Sequence, residues 1–175
     1  MNLEDGVNSV VAFVRDNAGW APAIVFALAF AESLAFISLL VPAWGALVAI
    51  GALAAAGILD IWAVWIAGSL GAACGDSLSY WIGLKLEYSV ARVWPLSRHP
   101  DLIPRGERFV KRWGVVGIFI GRFFGPLRAV VPLIAGIFEM PQWRFQIANV
   151  SSAFVWAAVL LFLGGSVSQV ASWVW

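Results

Sequence analysis

Four ionisable side chains stand inside otherwise apolar stretches of this 175-residue chain: Glu32, Asp76, Arg122 and Arg128. Placing an Arg or Asp at the centre of a spanning helix costs about 2.5–3.5 kcal/mol. Such residues pair with one another or face a cavity, and they mark substrate or proton paths. Two guanidiniums facing one cavity suit a phosphate, because each offers a planar fork for bidentate hydrogen bonds. Arg122 and Arg128 are six positions apart, and on an unbroken helix they would diverge by about 120°. The Gly125-Pro126 break between them allows convergence at a hairpin tip, where a helix start after Pro126 adds backbone donors. The alternative is that both arginines snorkel to the surface or pair structurally with Glu32 and Asp76.

Glu32 is the candidate proton-binding group. Desolvation favours a neutral carboxyl and a neighbouring guanidinium favours a charged one, so a carboxyl held between the two can exchange protons. The competing reading is a permanent ion pair. Asp76, four residues before Tyr80, is either a counter-charge or a hydrogen-bond partner of Tyr80, Ser77 or an arginine. Asn149 reads as an interhelical hydrogen-bonding residue.

The elements that must position these groups are membrane elements. Hydrophobic residues make up 62% of the chain and charged residues 12%, whereas soluble domains are nearer half and a quarter. A water-soluble chain of this size could not hide that much apolar surface. Segments 33–59 and 145–175 carry no charge, and 61–84 carries Asp76 alone; a spanning helix needs about 20 mostly apolar residues. Many of the 11 Trp sit where apolar runs begin or end, as indoles favour the headgroup zone. A net charge of +1 makes no case for nucleic acid. The lone Cys74 excludes an intramolecular disulfide and a cysteine-based metal site. No metalloprotease, nucleophile-elbow or P-loop motif occurs, so the expectation is a protein that is not an enzyme and needs no cofactor or metal.

The chain reads as a single membrane domain, 1–175. Residues 1–18 put Leu3, Val7, Val10, Val11 and Val14 on one stripe, an amphipathic interfacial helix, with no cleavable leader. Segment 23–57 is interrupted by Pro42 and Gly45; it is two crossings or a re-entrant hairpin, and a helix leading into a hairpin that turns near Pro42 is the favoured reading. Residues 61–84 form a transmembrane helix whose small residues allow close packing. Segment 85–112 is basic and therefore cytoplasmic, with a short surface helix near 101–112. Segment 114–138, broken at Gly125, Pro126 and Pro132, is a second re-entrant hairpin. Residues 142–164 cross again, and 166–175 are too few for another crossing. Glu32 precedes Pro42 by ten residues, as Arg122 precedes Pro132. Paired interrupted segments in two halves point to an inverted-repeat transporter.

These residues resemble the DedA family, also called the SNARE-associated or VTT-domain superfamily. The resemblance covers about residues 20–165. It rests on F-A-E at 30–32, Val41-Pro42, G-x-x-x-G-D-x-x-x-Y-x-x-G at 71–83, G-R-F-x-G-P-x-R at 121–128, then Pro132, Ala135-Gly136, Phe145, Asn149 and Trp156. It implies an all-α fold with two opposed re-entrant hairpins, each followed by a transmembrane helix. It also implies lipid transport, with bacterial members returning undecaprenyl phosphate across the cytoplasmic membrane and eukaryotic relatives scrambling phospholipids. Glu32, Arg122 and Arg128 match the family's essential acid and two arginines. Where many members carry a second acid after the first hairpin's proline, this chain has Ala43-Trp44, and Asp76 is the available substitute. Many members also end with a further spanning helix.

The expectation is a multi-pass inner-membrane flippase for a lipid phosphate. Arg122 and Arg128 hold the head, Glu32 and Asp76 supply proton coupling or counter-charge, and Tyr80 and Asn149 support them. Its partners are a polyprenyl phosphate or phospholipid, protons, and a second copy of the chain in a homo-oligomer. The alternatives are a proton-coupled small-ion exchanger, a phospholipid scramblase and a non-transporting membrane scaffold.

Overall fold

The computed structural model describes residues 3–34, 44–86 and 102–174. Among them the chain is all-helical: α1 (Leu3–Asp16), a 3₁₀ turn (Ala18–Trp20), α2 (Ala21–Ser33), α3 (Trp44–Ala55), α4 (Ile61–Leu86), α5 (Leu102–Gly121), α6 (Gly125–Ile137) and α7 (Gln142–Val174). Pro42, with the turn expected there, and most of the basic stretch (87–101) lie outside the described residues.

Local chemistry sets the boundaries. Pro22 falls in the first turn of α2, where a missing N–H costs nothing. Asp60 caps α4, its Oδ1 accepting from the backbone N–H of Trp62 at 2.9 Å and of Ala63 at 3.3 Å. Segments Ile61–Lys85 and Gln142–Ser166 are long and apolar enough to cross a membrane. The final helix runs on past residue 164 to Val174 instead of stopping there.

The second interrupted segment differs in detail from the sequence expectation. The surface helix near 101–112 continues through a kink at Gly114 (φ 49°, ψ −127°) to Gly121. The reversal then occurs at residues 122–124, so Gly125 and Pro126 open α6 rather than forming the break. Gly-Pro suits a helix start as well as a turn, because proline's φ is already helical. Pro132 lies inside α6 and is buried, and it does not end the helix.

α4 and α7 run antiparallel through the centre, since Trp65 meets Phe154 and Ser77 meets Gln146. α2 packs along α4 and α5 along α7, while α3 packs on α7 and α6 on α4. The contacts with α4 need glycine. A Cβ on Gly71 would run into the carbonyl of Phe26, one on Gly75 would sit 2.6 Å from the Phe30 oxygen, and one on Gly83 would meet the Leu133 carbonyl. Small residues at these points let backbones approach.

Two apolar clusters result. One gathers Val14, Val25, Ala29, Ile50, Val64 and Trp156 from α1–α4 and α7. The other gathers Tyr80, Val110, Val131, Ile134 and Phe145 from α4–α7. Along α4 the first cluster ends at Ala73 and the second begins at Tyr80; along α7 the second ends at Ala148 and the first begins at Ala153. In each gap the buried side chains are polar, Asp76 and Ser79 on α4 and Asn149 and Ser152 on α7, and they form a layer between the two clusters.

Candidate functional site

That polar layer holds all four intramembrane charges. Arg122 is delivered by the turn after α5, is 5% exposed, and is surrounded by acceptors. Its Nε donates to Ser152 Oγ (2.9 Å). Its Nη2 donates to Asn149 Oδ1 (2.6 Å) and Asn149 O (3.3 Å), and also to Asp76 Oδ2. Asp76 comes from α4 and both Asn149 and Ser152 from α7, so one guanidinium ties three elements together. Asn149 is held in turn by Nδ2 donating to Ala73 O (2.9 Å) and Ser77 Oγ (3.1 Å). Gln146 Nε2 donates to Ser77 Oγ at 3.0 Å. Breaking a buried ion pair by deleting one partner leaves an uncompensated charge, which costs about 3–5 kcal/mol.

Arg128, on the first turns of α6, is held more lightly. Its Nη1 donates to Glu32 Oε1 at 2.8 Å, and its guanidinium carbon lies 4.6 Å from the ring centroid of Trp156. That geometry is a cation–π contact. Glu32 sits in the last turn of α2 and is buried.

The expected site residues are thus partly gathered. Each arginine has its own carboxylate, Arg122 with Asp76 and Arg128 with Glu32. Asn149 joins the site as a direct partner of Arg122. Tyr80 does not bond Asp76: its hydroxyl donates to Met140 O at 2.5 Å and its ring stacks on Phe145 with centroids 4.4 Å apart. It fastens α4 to the turn before α7. Gly125 and Pro126 start the helix that carries Arg128, and Pro132 lies one turn further along it.

Four atoms in this layer remain buried without a hydrogen-bond partner among the described residues: Glu32 Oε2, Ser33 Oγ, Arg122 Nη1 and Arg128 Nη2. Buried polar atoms are normally satisfied, and an unsatisfied guanidinium N–H in a low-dielectric setting is costly. The two guanidinium nitrogens can donate to an oxyanion or a water, whereas the carboxylate oxygen of Glu32 needs a donor such as water.

Ser152, Gln146 and Ser33 were not picked out by sequence. Gln146, Asn149 and Ser152 recur at i, i+3 and i+6, one face of a helix, so their spacing was a usable signal. Cys74 faces outward, and among the described residues no group of three or more His, Cys, Asp or Glu gathers as metal ligands would.

The VTT domain matches residues 41–166, a stretch that contains Asp76, Arg122, Arg128 and Asn149 and leaves Glu32 just outside. The inner membrane protein YabI of Escherichia coli (strain K12) is 31% identical over 144 residues, covering 82% of this chain and 57% of that protein. An uncharacterized membrane protein of Buchnera aphidicola subsp. Acyrthosiphon pisum is 27% identical over 155 residues, 89% of this chain and 60% of its own. An uncharacterized membrane protein of Mycobacterium tuberculosis (strain H37Rv) is 36% identical over 107 residues, 57% of this chain and 49% of its own. The chain therefore spans about three-fifths of the first two relatives' length. No solved structure matches it. With charges buried between two membrane-length helices and the domain match covering most of its length, this chain belongs to the VTT-domain (DedA) family of membrane proteins.

Proposed function

We propose that this protein moves a lipid phosphate across the bacterial cytoplasmic membrane, with undecaprenyl phosphate as the carrier lipid and a proton as the coupled ion. The observation that carries this reading is the pair of buried guanidiniums that each keep an N–H without a partner among the described residues. A phosphate head satisfies both the charge and the unused donors. Arg128 is the residue that changes partner. Its attachment to Glu32 is a single hydrogen bond, and protonation of Glu32 would free it for the phosphate. Arg122, fixed by Asp76, Asn149 and Ser152, is a stationary positive charge at the back of the site.

The finer architecture belongs to the same proposal. α2–α3 and α5–α6 are read as two opposed re-entrant hairpins and α4 and α7 as the crossings in a multi-pass, inverted-repeat arrangement. Support comes from the exchange of packing partners: α3 lies on α7 and α6 on α4, as a two-fold relation between halves requires. Rocking of the halves would then expose the layer to each side in turn. A non-transporting scaffold is the second reading, favoured by the fact that both arginines already have counter-charges.

The experiment is translocation of undecaprenyl phosphate in proteoliposomes. Arg128→Gln should lower the rate about tenfold to a hundredfold, from loss of charge-assisted bonds worth about 1.5–3 kcal/mol. Arg128→Gln protein that remains folded and transports at the wild-type rate would remove Arg128 from the phosphate site, and wild-type protein that transports no faster than protein-free vesicles would leave the scaffold reading standing.

A further inference from the structure

Among the described residues one end of the bundle is strongly basic, and none of the described charges there belongs to the buried layer. Val110 packs with Tyr80, Phe145 and Met140, which places the first half of α5 where α4 finishes and α7 begins. Lys85 and Arg144 are exposed at the same end, as are Arg108 and Arg112 on α5. Lys111 pairs with Glu107 at 2.7 Å. At the opposite end, around the start of α4, stand Asp60 and the Arg15–Asp16 pair.

Within this end Arg105, Arg108, Phe109, Lys111, Arg112 and Trp113 line an open groove of about 610 Å³. Trp113 is 48% exposed and carries the Arg112 guanidinium 5.8 Å from its ring centroid. Trp143, also exposed, carries Arg144 at 5.1 Å. Gly114, with its positive φ, divides α5 at this point: the groove lies before it, and residues 115–121 after it are uncharged. The helix therefore changes from basic to apolar at a tryptophan, the sequence of environments met on passing from headgroup to hydrocarbon. A helix with a basic face and aromatic anchors lies in that interface.

We infer that this groove binds the phosphate headgroup of an anionic glycerolipid in the leaflet at that end. The guanidiniums of Arg108 and Arg112 take the phosphate oxygens, and Phe109 and Trp113 cover the first methylenes of the chains. The recognition is charge complementarity plus the planar fork that arginine presents to phosphate. Each basic residue near an anionic surface strengthens binding about fivefold. The inference does not rest on the transport reading, since neither Arg122 nor Arg128 takes part.

The test uses the full chain in phosphatidylcholine bilayers with trace spin-labelled phosphatidylglycerol or phosphatidylcholine, reading the motionally restricted fraction of each. The wild-type protein should retain phosphatidylglycerol preferentially. R108Q/R112Q should lower that preference about fivefold or more, limited only by parity. R108K/R112K, which keeps the charge and loses the fork, should fall between the wild-type protein and R108Q/R112Q, and R15Q at the opposite end should leave the preference unchanged. Equal retention of both lipids by the wild-type protein, an unchanged preference in R108Q/R112Q, or an equal loss in R15Q would overturn the assignment.

Discussion

Glu32 and Arg128 are 96 positions apart and meet at 2.8 Å through one oxygen and one nitrogen. The second oxygen of the carboxylate and the second terminal nitrogen of the guanidinium are buried and have no partner among the described residues. Arg122 contrasts with this, because its Nε and Nη2 are taken by Ser152, Asp76 and Asn149. Arg122 is thus held by acceptors from two helices, and Arg128 by a single carboxylate oxygen and the face of Trp156.

Glu32→Gln removes the ionised competitor for Arg128 and mimics the protonated carboxyl. The lipid phosphate should bind more tightly, turnover should slow, and the rate should lose its dependence on pH from acid to neutral. Initial rates in proteoliposomes over that range measure all three. A variant with the wild-type pH profile would remove Glu32 from the coupling step.

The Arg122–Asp76 pair should behave as one unit in stability. Asp76→Asn and Arg122→Gln should each cost about 3–5 kcal/mol, because each strands a buried partner. The double variant should cost less than the sum of the two, by about 0.5–3 kcal/mol. Denaturant unfolding in detergent, read as a double-mutant cycle, tests this; strictly additive losses would mean that the two side chains do not interact.

Gly75 sets the position of α2 and hence of Glu32. A Cβ there would lie 2.6 Å from the Phe30 oxygen and 2.8 Å from Ser33 Cβ. Gly75→Val should push α2 away from α4, lowering thermal stability and transport together. Gly45→Ala meets nothing within 4 Å and should leave both unchanged or slightly improved. Thermal unfolding of the detergent-solubilised protein distinguishes the two; tolerance of Gly75→Val would contradict the close approach.

Trp156 covers one face of the Arg128 guanidinium. Trp156→Leu should weaken lipid-phosphate binding by about 0.5–2 kcal/mol, the range of a cation–π contact, and Trp156→Phe by less. Titration of the reconstituted protein with the lipid reads the difference. Equal affinities for the wild-type and Leu proteins would show that the ring only fills space.

The four buried charges were legible in the sequence because each interrupts an apolar run, a signal that needs no tertiary information. The long helices at 61 and 142 were legible for the same reason. The pairing was not, since either arginine could meet either acid until packing brought α2 to α6 through α4. Gly125-Pro126 was ambiguous by chemistry: the same dipeptide starts a helix or makes a turn, and here the reversal comes just before it. Tyr80 shares a helical face with Asp76 one turn away, yet lies in the neighbouring apolar cluster, where its hydroxyl reaches a backbone carbonyl that no local pattern announces. The spacing of Gln146, Asn149 and Ser152 marks a polar helix face, but only packing shows that it meets Arg122 and Ser77.

Photo-crosslinking with a polyprenyl phosphate that carries a diazirine next to its phosphate tests the central claim most directly. The adducts should map to α6 and α7 around Arg128 and Trp156, and should fall to background in Arg128→Gln protein that still folds. Adducts confined to the outer surfaces of α4 and α7, or an unchanged pattern in Arg128→Gln, would contradict a phosphate site in the buried charged layer.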